Sequence, residues 1–368
     1  MKGTSKLKVL VVDDSAYNRK MIRSMVLEMD EVESVSIASD GEEAIKDVLA
    51  DPPQVITLDL NMPRMDGFTF LRWLMKHKPL PVVIVSAEGG EKNVFRALDL
   101  GALDFVVKPL RYASERIVEI KPELQDKVRA VADMDLGLYL SRLRERKPEA
   151  KRTVSPRSEV GGKLKGVVVI GASTGGPSAV QKVLSGLPGD LPYSFVVVQH
   201  MPPVFTAQFA KRLEKNTSFA AKEAEDGDTL VPGQIFVAPG GFHLEVRKLK
   251  AGRLLIREKG NEDRYIPSID MAMSSAARSF GDSAVGVLLT GMGNDGADGM
   301  LQIVNSGGKT IVESEKTAVI FGMPRAAIGK NAAGSVVDLE GIPGKLLEIL
   351  KDNSVLKKAR SGDKKSKH

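Results

Sequence analysis

The chain has 368 residues, 42% hydrophobic and 27% charged, an ordinary globular composition with room for two separately packed domains. It contains no cysteine, which excludes a disulfide framework, a cysteine nucleophile and a thiolate metal site. Of the net charge of +6, five units fall in residues 351–368, with seven Lys/Arg against two Asp, so the excess marks a basic, disordered tail. No basic, aromatic-studded face in the body supports a nucleic-acid partner. The start, Met1 to Lys6, leads into a short apolar run that soon meets Asp13-Asp14, which argues against a signal peptide. No apolar run is long enough to span a bilayer, so a cytoplasmic protein without membrane insertion is expected.

Lys6–Val12 reads as a strand, and Ser15–Met29 follows with helical spacing at Met21, Ile22, Met25, Val26 and Met29. Alternation continues through Val35–Ala38, Glu42–Leu49, Val55–Leu58, Phe68–Met75, Val82–Val85, Val94–Leu100, Phe105–Val107 and a helix from about Tyr112. Five strands alternating with five helices predict an α/β domain over residues 1–124, a (βα)5 doubly wound parallel sheet. Asp13 and Asp14 end the first strand, Asp59 the third, Ser86 the fourth and Lys108 the fifth, so all should meet at one carboxyl edge. Three carboxylates in one pocket repel unless a cation joins them, and hard oxygen donors suit Mg²⁺. Lys108 adds a positive charge and Ser86 a hydroxyl for an incoming phosphoryl group. A carboxylate in that company can accept phosphate as an acyl phosphate.

On those residues, positions 6–124 resemble the receiver domain of two-component response regulators. The resemblance implies Asp59 as phosphoacceptor, with Asp14, Asp59 and the Asn61 carbonyl on Mg²⁺ and Asp13 close by. It implies Ser86 and Lys108 as the phosphate-sensing pair and Phe105 as the aromatic switch residue. Ser86 stands where many receivers carry Thr, which keeps the hydroxyl and loses a methyl.

Residues 125–163 read as a linker. Its first part, Gln125–Arg144, can continue as an amphipathic helix, and Arg142–Arg157 is rich in Lys, Arg, Glu, Pro and Ser. Residues 164–350 then alternate again. Val167–Ile170, Phe195–Gln199, Ile235–Ala238, Val285–Leu289 and Thr310–Val312 read as strands. Ala179–Leu187, Thr206–Leu213, Met271–Arg278, Met300–Asn305 and Pro324–Ile328 read as helices. His243–Arg247 and Leu254–Glu258, joined through Ala251-Gly252, alternate polar and apolar like an antiparallel hairpin. The expected fold is a mainly parallel three-layer α/β sheet carrying a β-hairpin insert.

In this second domain the strand Val167–Ile170 runs into Gly171-Ala172-Ser173-Thr174-Gly175, which fits G-x-S-x-G and equally a dinucleotide phosphate loop. The next strand ends in His200, not in the acidic residue a ribose would need, and a histidine there can serve as general base. Thr290 to Gly296 places Asp295 at the same edge, able to fix the histidine tautomer. His243 competes for the base role, or reaches the cleft rim to bind substrate. The order Ser, His, Asp differs from the α/β-hydrolases.

Gly171–Pro177, Gln199-His200-Met201-Pro202, Ala238-Pro239-Gly240, Leu289–Gly296 and Gly322-Met323-Pro324-Arg325 make residues 164–350 resemble the catalytic domain of chemotaxis protein-glutamate methylesterases. The resemblance implies Ser173 as nucleophile, His200 as base, Asp295 as orienting acid, and the backbone N–H groups of Thr174 and Met292 as oxyanion hole. It implies no catalytic-domain cofactor, methylated chemoreceptors as substrates, glutamine deamidation as second activity, and a chemotaxis histidine kinase as phosphodonor. An unphosphorylated receiver would cover the Ser173 cleft until Asp59 is phosphorylated. Two rival readings are a DNA-binding output, which needs a helix-turn-helix, and a nucleotide-binding domain without hydrolysis.

Overall fold

The computed structural model describes residues 6–87, 90–108, 114–132, 134–145, 162–247, 252–258, 260 and 264–362. The chain divides into two compact units, Met1–Pro148 and Glu149–His368.

In the first unit five strands, β1 (Leu7–Val12), β2 (Val32–Ala38), β3 (Val55–Leu58), β4 (Val82–Ala87) and β5 (Asp104–Lys108), alternate with α1 (Ala16–Leu27), α2 (Gly41–Ala50), α3 (Gly67–His77) and α4 (Glu91–Asp99). A 3₁₀ segment (Ser114–Ile120), α5 (Lys121–Ala132) and α6 (Leu136–Glu145) follow. Every strand pair is parallel and the order is β2-β1-β3-β4-β5. The run Val55–Leu58 is buried at all four positions, as a strand covered on both faces requires. The order reverses between β1 and β3, which puts a crevice above Asp13 and Asp59.

The boundary expected at residue 124 falls inside α5. Leu124, Val128, Ala130 and Val131 of that helix are buried, and Gln125 Nε2 donates to the Met25 carbonyl of α1 at 2.7 Å. In α6 the Tyr139 hydroxyl donates to the Gly101 carbonyl at 3.2 Å. Residues 125–145 therefore pack as part of the first unit, not as a connector. Their apolar stripe was visible in the sequence, but its partner lies about a hundred positions earlier. Residues 146–161 of the expected linker lie outside the described residues.

The second unit contains β6 (Gly166–Ala172), α7 (Gly176–Ser185), β7 (Tyr193–Gln199), α8 (Phe205–Asn216), β8 (Ala220–Glu223), β9 (Gln234–Val237), β10 (Phe242–Arg247) and β11 (Arg253–Glu258). It continues with α9 (Ile269–Phe280), β12 (Ala284–Leu288), α10 (Ala297–Asn305), β13 (Lys309–Glu313), α11 (Gly322–Gly329), β14 (Ser335–Val337) and α12 (Ile342–Gly362). Seven strands in the order β14-β13-β12-β6-β7-β9-β8 form one sheet in which every pair is parallel. β10 and β11 pair antiparallel apart from it, as the alternation implied. The hairpin is tied to α9, where Ser275 Oγ accepts from Val246 N–H and Ser279 Oγ donates to Val246 O.

Three elements extend the expected set. β8 and β14 are short edge strands, four and three residues long, too short and too partly buried to carry an apolar run. α12 opens with Pro343 and Gly344, which read as a turn but are tolerated in a helix's first turn; its packed residues are Ile342, Leu346, Ile349 and Leu350. It runs to Gly362, twelve residues into the stretch expected to be a disordered tail. Leu356-Lys357-Lys358-Ala359-Arg360 are all good helix formers, which propagate a helix once packing has nucleated it. Residues 363–368 lie outside the described residues.

A receiver fragment ending at residue 145 should melt cooperatively, whereas one ending at 124 should not, or should melt far lower. Val128 and Val131 alone remove ~3 kcal/mol or more of burial, on the order of 10 °C or more for a domain this size. Equal melting temperatures would contradict the inclusion of α5 and α6.

Candidate active site and phosphoacceptor pocket

At the centre of the second unit, β6 is flanked by β7 and β12, with Ala172 opposite Gln199 and Leu288 opposite Gly171. The chain continues directly from those strand ends into Ser173, His200 and Leu289. The sheet order reverses here, so the three segments meet at the crevice where parallel sheets bind ligands. His200 N–H donates to Ala172 O at 3.1 Å, and Ser173 N–H donates to Thr290 O at 3.0 Å. Gly291 permits a close approach: a Cβ there would lie 2.8 Å from Ser173 Cβ and 2.4 Å from Met323 Sδ. The left-handed turn after the serine falls on Gly175, at φ 77°, and Ser173 itself is not at positive φ. The G-x-S-x-G match is thus a strand-to-helix turn whose strain sits on glycine.

His200 Nε2 lies 2.9 Å from Asp295 Oδ2. The Asp295 carboxylate is 2% exposed and sits over the N-terminus of α9. It accepts from Ile269 N–H at 2.7 Å, Asp270 N–H at 2.9 Å, Gly296 N–H at 3.0 Å and the Ser268 hydroxyl at 3.3 Å. Burial opposes its charge, but the His200 hydrogen bond and the Ile269 and Asp270 amides outweigh that and hold Asp295 below the usual carboxylate range. Asp270, next in line, is pushed up to about 6 by burial and by the neighbouring Asp295 and Asp298 charges, against a hydrogen bond from Gly299 N–H.

Tyr265 was not visible from sequence. Its ring stacks on the His200 imidazole, centroids 5.1 Å apart and planes 4° apart, covering one face of it. A Cβ on Gly293 would lie 2.2 Å from the Tyr265 hydroxyl, so that glycine makes room for the tyrosine. Tyr265 stands in an aperiodic stretch between hairpin and helix, where nothing in the sequence marks it. Gln199, which the sequence offers only as one residue of the Gln199–Pro202 stretch, is marked as a polar residue ending an apolar strand. Its Nε2 donates to Ser173 O at 2.9 Å and to His200 O at 3.1 Å.

His243, expected as a rival base or a rim residue, does not reach the rim. It is 1% exposed, and its Nδ1 accepts from Ser268 N–H at 3.1 Å beneath the start of α9. By alternation it lies on the face of β10 opposite the core residues Leu244 and Val246, and it is buried because the start of α9 covers it through Ser268.

In the first unit, Lys108 Nζ bridges Asp59 Oδ2 at 2.6 Å and Asp13 Oδ2 at 2.9 Å. One carboxylate oxygen each from Asp13, Asp14 and Asp59 lies within 4.8 Å of the others, a hard anionic donor set suited to a divalent metal. Asp13 and Asp59 are buried and Asp14 is exposed. Burial pushes the Asp59 carboxyl above its usual range; Lys108 offsets this in part and Asp13 adds to it. The same pair of carboxylates holds the buried Lys108 ammonium above its usual value. Asn61 N–H donates to Asp59 Oδ1 at 3.3 Å. Ser86 is buried on β4, and Phe105 is buried on β5 with Lys127 Nζ 5.5 Å from its ring centroid.

Asp270 yields a pH test. Its folded-state value of about 6 exceeds the unfolded value near 4, so the stability tied to its protonated form is lost as pH rises through that window. Asp270→Asn keeps an acceptor for Gly299, and its melting temperature relative to wild type should climb between pH 4 and 6 and level off above. Parallel melting curves across that range would contradict the assignment.

Comparison with known proteins matches residues 9–120 to the response regulator receiver domain family and residues 168–346 to the CheB methylesterase family. Protein-glutamate methylesterase/protein-glutamine glutaminase 3 of Geobacter sulfurreducens is 43% identical over 361 residues, covering 93% of this chain and 97% of that one. The corresponding protein 6 of Anaeromyxobacter dehalogenans is 43% identical, covering 94% of this chain and 96% of its own. The solved CheB methylesterase catalytic domain of Thermotoga maritima is 38% identical, covering 52% of this chain and all of that one, with a TM-score of 0.49. No described helix is long and apolar enough to cross a membrane. The receiver domain ahead of a methylesterase domain, with identity running through nearly the whole length, makes the chain a member of the protein-glutamate methylesterase/protein-glutamine glutaminase family.

Proposed function

We propose that the chain hydrolyses glutamate γ-methyl esters, and deamidates glutamines, on cytoplasmic helices of chemoreceptors, with Ser173 as nucleophile, His200 as base and Asp295 as its orienting acid. The observation that carries this is the 2.9 Å contact of His200 Nε2 with a carboxylate kept ionised at the strand ends beside Ser173. A histidine that donates from Nε2 keeps Nδ1 as acceptor, so Nδ1 takes the serine proton. Ser173 Oγ attacks the γ-carbonyl carbon, and the Thr174 and Met292 N–H groups hold the resulting oxyanion. As the C–O bond to methoxide breaks, the imidazolium returns the proton and methanol leaves; from glutamine the same step releases ammonia. Water, deprotonated by His200, then cleaves the acyl-serine to glutamate. Asp295 stabilises the transient imidazolium, and the stacked Tyr265 ring supports it with ~0.5–1 kcal/mol of cation–π attraction.

Control falls to the receiver. Asp59 accepts the phosphoryl group from a chemotaxis histidine kinase, and Asp13, Asp14 and Asp59, with Asn61 adjacent, are the residues to hold Mg²⁺. That ion would supply charge neutralisation for the incoming phosphoryl oxygens. Lys108 and Ser86 sense the phosphate and Phe105 relays the change. The three-carboxylate pocket supports this reading, since a buried Asp59 whose charge is only partly offset gains most from a divalent partner.

Methanol release from methylated receptor membranes tests the proposal in one series. Ser173→Ala should abolish it, and His200→Ala should lose at least ~10²-fold. Acetyl phosphate with Mg²⁺ should raise the wild-type rate and leave Asp59→Asn unchanged. A His243 substitution more damaging than the His200 one, or stimulation that survives in Asp59→Asn, would contradict the assigned roles.

A further inference from the structure

In a trans peptide the C=O and the N–H point in opposite directions, so whatever pins a carbonyl also aims the amide of the following residue. Two peptides at the cleft are pinned in this way. The Gly291 carbonyl accepts from Gly322 N–H at 3.1 Å and Met323 N–H at 2.9 Å, which fixes the Met292 amide. The Ser173 carbonyl accepts from Gly176 N–H at 2.7 Å and Gln199 Nε2 at 2.9 Å, which fixes the Thr174 amide. Each carbonyl thus has two donors, as many as its lone pairs take. Neither the Thr174 nor the Met292 N–H donates to another protein group among the described residues. The Met292 peptide is held by backbone alone. The Thr174 peptide depends on one side chain.

That side chain is placed at a cost. Gln199 is 2% exposed, and both hydrogens of Nε2 are used, on Ser173 O and on His200 O at 3.1 Å. Its Oε1 is buried without a hydrogen-bond partner. A methionine would fill the same space without leaving a polar atom unpaired, so burial alone does not account for an amide here. The first turn of α7 is also shaped around it: a Cβ on Gly176 would lie 2.1 Å from Gln199 Oε1.

We propose that Gln199 is a positioning residue for catalysis: its side-chain amide locks the Ser173–Thr174 peptide so that the Thr174 N–H faces the developing oxyanion. This rests on the serine-hydrolase reading above. Gln199 touches neither substrate nor the transferred proton; it acts through the peptide it holds. An oxyanion donor works only when aimed before the reaction begins, so a peptide free to rock loses rate in the transition state and not substrate affinity.

The test uses full-length protein stimulated with acetyl phosphate and Mg²⁺ on methylated receptor membranes, comparing wild type with Gln199→Met and Gln199→Glu. Both variants should melt cooperatively. Each should lose about 10–10²-fold in kcat, less than or equal to deletion of a whole oxyanion donor, with KM unchanged. The pH–rate profile should keep its apparent pKa, because the His200–Asp295 contact is untouched. In amide-resolved ¹H–¹⁵N spectra the Thr174 signal should shift and exchange faster while Met292 stays in place. Rates within twofold of wild type, a rise in KM alone, a pH profile that moves with the rate, or an unmoved Thr174 amide would each overturn the proposal. So would failure of both variants to fold, since Gln199 would then serve the fold. Wild-type protein that released no methanol would refute ester hydrolysis instead; the Thr174 spectrum reads the clamp independently of turnover.

Discussion

Everything at the esterase edge depends on one buried carboxylate. Asp295 receives two amides from the first turn of α9, a third from Gly296 and a hydroxyl from Ser268, and turns its remaining capacity to His200. Those donors keep it ionised although 2% exposed. They also lock α9, the β12–α10 loop and the β7 end into one arrangement. His243 extends the same network from below, by fixing Ser268 and so the helix start whose dipole favours the Asp295 charge. A neutral residue at 295 would leave several backbone donors unpaired as well as an unoriented imidazole.

The two units solve one electrostatic problem in different ways. Both bury a carboxylate at the carboxyl edge of a parallel sheet. In the second unit the His200 hydrogen bond and fixed backbone amides together hold the carboxyl low, and the group remains an anion suited to steadying an imidazolium. In the first, two buried carboxylates, Asp13 and Asp59, share a single lysine beside the exposed Asp14, and burial leaves Asp59 above its usual range. A site balanced so loosely responds strongly to an added cation or to a phosphoryl group on Asp59, which is what a switch requires. In the proposed roles, the permanent anion serves the chemistry and the unbalanced pocket receives the signal.

Most of this was legible in the sequence because parallel strands carry their polar residues at their ends. Asp13, Asp59, Lys108, Ser173 and His200 each follow or close an apolar β-branched run, with Asp295 in the loop that leaves β12, and topology brings such positions together regardless of the loops between them. What could not be read depended on contacts without periodicity. Tyr265 reaches His200 from an irregular loop, and the boundary at residue 124 hid the packing of α5 on α1. His243 looked like a rim histidine because Pro239-Gly240-Gly241 reads as an exposed turn, whereas the start of α9, far along the chain, covers it through Ser268. Short edge strands carry too few apolar positions to announce themselves, as β8 and β14 illustrate.

If one serine performs both hydrolyses, ester and amide must pass through the same acyl-enzyme, whose fate no longer depends on the departed group. Partitioning with hydroxylamine measures this directly. A glutamate γ-methyl ester peptide and its glutamine counterpart, each hydrolysed by the full-length protein in a fixed hydroxylamine concentration, should give hydroxamate and acid in the same ratio. Hydroxamate absent from both, or ratios that differ between the two substrates, would contradict a common Ser173 intermediate.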